Sequence, residues 1–245
     1  MRYLLNIGNT RVAVLDNDRL AERPAPVFYF ATGDFVENWH PAGDWLATAA
    51  CVVPSIRAAL ERRWPGRIVF VDSDSYPEMD FSAYGPGLGA DRMANAAAAH
   101  ALFPRQTALV IDCGTAVNTV AVNANGKVCG GVILPGRQTA LAALGRQTAQ
   151  LPEFIVSPAD KPCDPLALST EDGIRNGVDI ALLAAVERII QETRQQPGFA
   201  ACQVWLTGGD AAFYAENLPR GLAASEAPLP LTLYGVSLAK SNSIP

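Results

Sequence analysis

Apolar residues fall in short alternating blocks along the first seventy positions, and each block ends at polar residues or glycine. Residues 3–7 and 11–16 read as two strands of a hairpin. Val27 to Ala31 reads as a third strand, and Asp34 to Gly43 as a stretch with a short helix in which Trp39 and His40 are packing residues. Leu46 to Val53 has the continuous apolar character of a buried strand. Pro54-Ser55 then opens a helix that runs through Arg63, followed by a strand at Ile68–Val71. Three antiparallel strands followed by alternating helix and strand predict a mixed sheet with a helical cover.

Residues 72–89 carry aspartate, serine, proline and glycine at close intervals and read as a loop; one of this length inside a compact domain is functional or mobile. The alanine-rich run Met93–Phe103 predicts a helix whose small side chains permit close packing. Strands are predicted again at 107–112, 116–123 and 127–134, with Asn123-Ala124-Asn125-Gly126 as a hairpin turn. Gly130-Gly131 marks a bulge or a close backbone approach, and Pro135-Gly136-Arg137 begins a helix to about Arg146. This second strand-strand-strand-helix series repeats the first. It predicts two related halves, 1–106 and 107–245, with the last helix packing back on the first half.

Pro152 to Pro165 reads as a second loop. Ser169-Thr170-Glu171-Asp172 then looks like a helix cap with acids in the first turn, and on the residues alone Thr170 is the cap. Ile174, Val178, Leu182, Val186 and Ile189 keep one face of the long helix that follows. Gly173 and Gly177, four apart near its start, leave a flat face that can receive another chain or a ligand. Cys202 to Leu206 is a buried strand ending in Thr207-Gly208-Gly209-Asp210, which is either a generic strand-to-helix turn or a close approach to a nucleotide. Leu231 to Lys240 predicts the final helix, with a frayed tail from Ser241 to Pro245.

Composition narrows the classes. The chain has 245 residues, 49% hydrophobic, enough for one large domain or two small ones. No apolar run approaches the roughly 20 residues of a membrane span. Met1-Arg2-Tyr3 leads straight into a strand pattern, so no signal peptide is expected. The five cysteines (Cys51, Cys113, Cys129, Cys163, Cys202) form no C-x-x-C pair, and there are two histidines. This predicts reduced, mostly buried thiols in a cytoplasmic protein and no zinc site. A net charge of −5 without a basic run argues against nucleic acid as a partner.

The chemistry concentrates at two turns. Leu109-Val110-Ile111-Asp112-Cys113-Gly114-Thr115-Ala116 sets an acid, a glycine and a hydroxyl between two strands. Such a turn suits phosphate: glycine lets backbone N–H groups approach an oxyanion, threonine adds a donor and aspartate can hold a cation. Leu4-Leu5-Asn6-Ile7-Gly8-Asn9-Thr10 followed by Arg11 is a looser copy, with Asn9 as one extra residue. A nucleotide could be gripped by the two. Gly89-Ala90-Asp91-Arg92 closes the long loop. Asp91 there is either a helix N-terminal acid or a functional carboxylate, and Arg92 either a solvated residue or a ligand group.

Taken together, Asn6-Ile7-Gly8-Asn9-Thr10, Gly89-Ala90-Asp91-Arg92, Asp112-Cys113-Gly114-Thr115-Ala116, Gly130-Gly131 with Pro135-Gly136, Thr170 to Gly177, and Thr207-Gly208-Gly209 resemble, in order and spacing, the type III pantothenate kinases. The resemblance covers nearly the whole chain. It implies an α/β protein of the duplicated ribonuclease-H-like fold shared by acetate kinase, sugar kinases, heat-shock ATPases and actin, with mixed sheets flanked by helices. It implies ATP-dependent phosphorylation of pantothenate to 4'-phosphopantothenate, the first step of coenzyme A synthesis, by a homodimer that needs Mg²⁺ and a monovalent cation (K⁺ or NH₄⁺). It further implies that Asp91 is the catalytic base, that Tyr84, Gly89, Ala90 and Arg92 line the pantothenate site, and that Thr170 completes it from the partner subunit. Asp112 would hold the monovalent cation, Thr115 the ATP phosphates, and Asn6, Gly8, Asn9, Thr10 and Arg11 the first phosphate loop.

One position departs from the family. Asn6 stands where an aspartate is usual, and a neutral amide is a poorer ligand for a hard divalent cation. A charge-assisted interaction of about 3 kcal/mol corresponds to roughly a hundredfold in rate. Two expectations follow: an active kinase of reduced rate, or an inactive relative that binds ligands and serves regulation.

Overall fold

The computed structural model describes residues 1–85, 87–147 and 165–240. The elements run in chain order as β1 (Arg2–Ile7), β2 (Arg11–Asp16), β3 (Phe28–Ala31), α1 (Phe35–Asn38), β4 (Leu46–Cys51), α2 (Pro54–Arg63), β5 (Ile68–Phe70) and α3 (Ala90–Leu102). After these come β6 (Ala108–Cys113), β7 (Ala116–Val122), β8 (Val128–Gly130), β9 (Ile133–Pro135), α4 (Arg137–Gln147), α5 (Thr170–Gln195), β10 (Gln203–Thr207), α6 (Ala211–Asn217), β11 (Ala224–Glu226) and α7 (Leu231–Ser237).

The chain divides into two compact units. The first comprises Met1–Arg105, Val122–Gly130 and the described residues from Pro228 onward; the second comprises Gln106–Ala121 and the described part of Gly131–Ala227. The division after Arg105 lies one residue from the boundary expected at 106. The tip of the β7–β8 hairpin and the C-terminal segment, however, belong with the first unit.

In the first unit a sheet runs in the order β3-β2-β1-β4-β5. β1, β2 and β3 are antiparallel neighbours, while β1–β4 and β4–β5 are parallel, so the sheet is mixed. Leu5, Ile7, Val12 and Val14 point to one core with Phe35, Trp39, Trp45 and Leu60. Trp39 meets Trp45 and Trp64 edge to face at 5.0 and 5.3 Å, so the aromatic rings of this core interlock. Trp39 packs as expected, but His40 is exposed, because α1 ends at Asn38 and the chain turns outward.

α3 begins at Ala90, earlier than the expected Met93, so Asp91 and Arg92 stand in its first turn. Its small residues serve α7: a Cβ at Gly235 would lie 1.9 Å from the Ala94 carbonyl oxygen, so the two helices touch backbone to backbone. The Thr232 hydroxyl donates to Asn95 Oδ1 at 2.9 Å across that contact. The glycine at 235 is therefore obligatory there, and the alanines of α3 are explained by a neighbour within this chain.

In the second unit strands run in the order β11-β10-β6-β7, with β9 paired antiparallel to β7. β10 is parallel to both β6 and β11. The single strand expected at 127–134 is two strands, separated by Gly131 and Val132; Gly130, which ends the first, has φ +136. Leu109, Ile111, Val117, Val204 and Leu206 pack with Val186 and Ile190 of α5 and with Phe213 and Tyr214 of α6. Cys113 and Cys202 are buried, Cys51 is half-buried and Cys129 is exposed. Cys163 and nearly all of the loop expected at 152–165 lie outside the described residues, as does the tail from Ser241. Among the described residues no helix is long and apolar enough to cross a membrane.

Candidate functional site

In the first unit the turn after β1 closes with the Gly8 N–H donating to the Arg11 carbonyl at 3.1 Å, leaving Asn9 and Thr10 as the loop. Thr32, 24 residues on, clamps this turn from outside. Its hydroxyl donates to the Gly8 carbonyl at 2.7 Å and its N–H to the Thr10 carbonyl at 3.0 Å. Asn6 is half-buried, while Asn9, Thr10 and Arg11 are exposed, and the Arg11 guanidinium lies 4.5 Å over the Tyr29 ring.

Asp91 belongs to the same edge of the sheet. The Val52 N–H donates to the Ile7 carbonyl at 3.1 Å, and a Cβ built on Gly89 would lie 3.5 Å from Val52 Cγ1. The start of α3 thus sits where β1 and β4 end. Gly89 is the N-cap residue, and its missing side chain leaves room for the Asp91 carboxylate, whose Oδ1 would be 2.6 Å from a Cβ there. Asp91 Oδ1 accepts from the Arg92 N–H at 2.8 Å, and burial raises the carboxyl pKa above the ordinary value. Arg92 is buried, not solvated: its guanidinium stacks 4.5 Å over the Tyr84 ring and donates to the Tyr84 hydroxyl. A cation held by ring face and hydroxyl together has a fixed direction.

In the second unit the turn after β6 is tighter by one residue. The Gly114 N–H donates to the Ala116 carbonyl at 3.1 Å, and Thr115 is exposed at the tip. Two sequence-distant segments converge on it. The Thr115 carbonyl accepts from the Gly136 N–H at 3.0 Å and from the Thr139 hydroxyl at 2.6 Å. The Cys113 carbonyl accepts from the Asp210 N–H at 2.9 Å. A Cβ on Gly136 would lie 1.9 Å from the Gly114 carbonyl oxygen, and one on Gly208 would lie 2.6 Å from the Cys113 carbonyl oxygen and 2.5 Å from Asp112 Oδ1. Gly208 also has φ +94, a conformation that favours glycine. These are backbone-to-backbone approaches, and they form a surface of main-chain groups at which an anion can be met closely.

Burial, with the nearby Asp112 and Asp210 carboxylates, drives the Cys113 thiol pKa well up, so this cysteine is a packing group. Burial likewise raises Tyr214, whose enclosed hydroxyl has no hydrogen-bond partner among the described residues.

The structure therefore gathers Asn6 to Arg11 with Gly89 to Arg92 and Tyr84 in one unit, and Asp112, Gly114 and Thr115 with Gly136 and Gly208 in the other. Ser169, not Thr170, is the N-cap of α5, accepting from the Asp172 N–H at 3.1 Å, and Thr170 is exposed in the first turn. Sequence reasoning missed Thr32, Thr139 and Asp210 as holders of the turns. It also missed the buried pair of Arg137 with Asp179. Asp210 was signalled by its place directly after Thr207-Gly208-Gly209, and Asp179 by an acid one residue after Val178 of the apolar stripe; Thr32 and Thr139 left no signal.

Two solved structures share this architecture. A conserved putative Baf family transcriptional activator from Campylobacter jejuni matches with TM-score 0.63 at 19% identity, covering 96% of this chain and 94% of that one. The activator of 2-hydroxyisocaproyl-CoA dehydratase from Clostridium difficile, with bound ADPNP, matches with TM-score 0.50 at 12% identity, covering 97% and 92%. The fold is of the α/β class, with two mixed sheets flanked by helices. The family model of type III pantothenate kinase matches residues 4–192, and the chain belongs to that family. A type III pantothenate kinase from Herminiimonas arsenicoxydans is 38% identical over 131 residues, 54% of this chain and 50% of that one. The chain spans about half the length of the curated relatives it matches.

Proposed function

We propose that this chain transfers the γ-phosphoryl group of ATP to the primary hydroxyl of pantothenate, giving 4'-phosphopantothenate and ADP. The family match over residues 4–192 carries the reading, because every residue given a role below lies inside that span. The pantothenate hydroxyl oxygen forms a bond to the γ-phosphorus, the bond from phosphorus to the ADP oxygen breaks, and Asp91 takes the hydroxyl proton. Burial of its carboxyl supports this role, because a raised pKa makes it a better proton acceptor when the transfer is late. Gly89, Ala90 and the fixed Arg92–Tyr84 pair line the vitamin's side. Thr170 completes that side from a second copy in a homodimer, which suits its exposure on α5.

The turn at Gly114-Thr115 takes the ATP phosphates, and Asn6 to Arg11 supply the first phosphate loop. A protein of the same fold with bound ADPNP supports ATP as the nucleotide. The residues fit Mg²⁺ in the manner usual for nucleotide sites. Among the described residues no three His, Cys, Asp or Glu side chains converge, and Mg²⁺ takes one or two protein oxygens when phosphates supply the rest. The Asn6 amide oxygen is a candidate for Mg²⁺, and the Asp112 carboxylate suits K⁺ or NH₄⁺. Bound Mg²⁺ would neutralise phosphate charge.

The test is incubation of the protein with ATP, Mg²⁺, K⁺ and pantothenate, with the product identified by mass spectrometry. One phosphate added at the primary hydroxyl is expected. Retained ATP and pantothenate binding without that product would overturn the kinase in favour of a ligand-binding relative.

A further inference from the structure

The second phosphate turn takes its shape from α4. Gly136 and Thr139 both bond the Thr115 carbonyl, and Gly136 has no room to carry a side chain against Gly114. The position of the turn is therefore the position at which α4 begins. Apolar packing secures α4 weakly: its buried residues are Arg137 and Leu141. Arg137 is the larger of the two and sits at the end that matters.

The guanidinium of Arg137 makes two bonds to Asp179 of α5, Nε to Oδ1 at 2.8 Å and Nη2 to Oδ2 at 2.9 Å. The two side chains are 1% and 0% exposed. The guanidinium also lies 3.7 Å from the centre of the Phe213 ring of α6. α6 follows Asp210, whose N–H holds the Cys113 carbonyl. One buried cation thus ties the starts of α4 and α6, the two helices whose entry turns abut Asp112 to Thr115, to the long α5. A buried ion pair is a poor source of stability next to apolar packing of equal volume. What a two-pronged, stacked guanidinium supplies is a fixed direction and distance.

We propose that Arg137, clamped by Asp179 and Phe213, is a positioning residue that sets the second phosphate turn for ATP. The role assigned to ATP rests on the pantothenate kinase reading; the clamp on the turn does not.

The experiment is the double variant Arg137→Met with Asp179→Leu, in which apolar side chains of similar volume keep the core filled. Its melting temperature, amide hydrogen exchange at Gly136 and kinetics are compared with those of the parent. The clamp predicts a melting temperature at or above the parent's, Gly136 exchange about tenfold faster, KM for ATP raised about tenfold and KM for pantothenate within about twofold. Parental exchange at Gly136 together with a parental KM for ATP in the folded variant would overturn it, leaving the pair a purely structural one. If the double variant fails to fold, Arg137→Lys keeps the charge and loses the fork. A smaller shift in the same two quantities is then expected, and no shift overturns the clamp. A parent that never phosphorylates pantothenate would sink the kinase reading, and the Gly136 exchange comparison would still decide the clamp.

Discussion

The turns at Gly8-Asn9-Thr10 and at Gly114-Thr115 carry similar residues between strands, yet they are held by different means. The first is closed within its hairpin and clamped by Thr32; a Cβ on Gly8 would sit 3.2 Å from the Arg11 carbonyl oxygen, a distance a small adjustment relieves. The second is enclosed by Gly136, Thr139, Gly208 and Asp210, with prospective Cβ clearances of 1.9 and 2.5 Å. Their charges differ as well. Asn6 puts an amide where Asp112 puts a carboxylate, and Asp112 and Asp210 both act electrostatically on Cys113 beside the second turn. The two turns thus share residue types but differ in length by one residue and in how closely other backbone packs on them.

The largest effect expected of any single change belongs to the carboxylate beside the first turn. Asp91→Asn should lower kcat by about 10² to 10⁴ with both KM values little changed, read by steady-state kinetics; full turnover would remove the base from that side. Next comes a paired stability comparison. Gly136→Ala should cost about 3 kcal/mol or more, since backbone must move, whereas Gly8→Ala should cost about 1 kcal/mol. Equal losses in denaturant titrations would abolish the distinction between a rigid and a yielding turn.

Restoring charge to the first turn is a smaller step. Asn6→Asp should raise kcat about tenfold or lower the Mg²⁺ concentration needed for half-maximal rate, and an unchanged Mg²⁺ titration would make the amide innocuous. The smallest effect is on stability. The folded pKa of Asp91 is raised by burial, so its ionised form costs stability above that pKa, and the cost is relieved as pH falls toward the unfolded value. Asp91→Asn should therefore melt above the parent at pH 7, and the gap should close on acidification in parallel thermal scans.

Much of the architecture was legible because local chemistry declares it. Pro54 begins α2, alternating apolar residues mark β1 and β2, and the alanines of α3 announce a close neighbour. The start of α3 was misjudged by three residues because an uncapped-looking Gly89 is its N-cap. β11 (Ala224–Glu226) went unseen, being three half-buried or exposed residues that only the parallel neighbour β10 makes into a strand. Ser169 took the cap expected of Thr170. At the site, the motif residues were readable, but their holders were less so: Thr32, Thr139, Asp210 and Asp179 act across 22 to 97 residues of sequence, and nothing near Thr32 or Thr139 in the chain advertises the partner.

The most direct measurement is ADP release by the unmodified protein with Mg²⁺ and K⁺, recorded with and without pantothenate. The account predicts release that depends on pantothenate and matches 4'-phosphopantothenate formed mole for mole. ADP release indifferent to pantothenate, or none at all from protein that binds ATP, would contradict it.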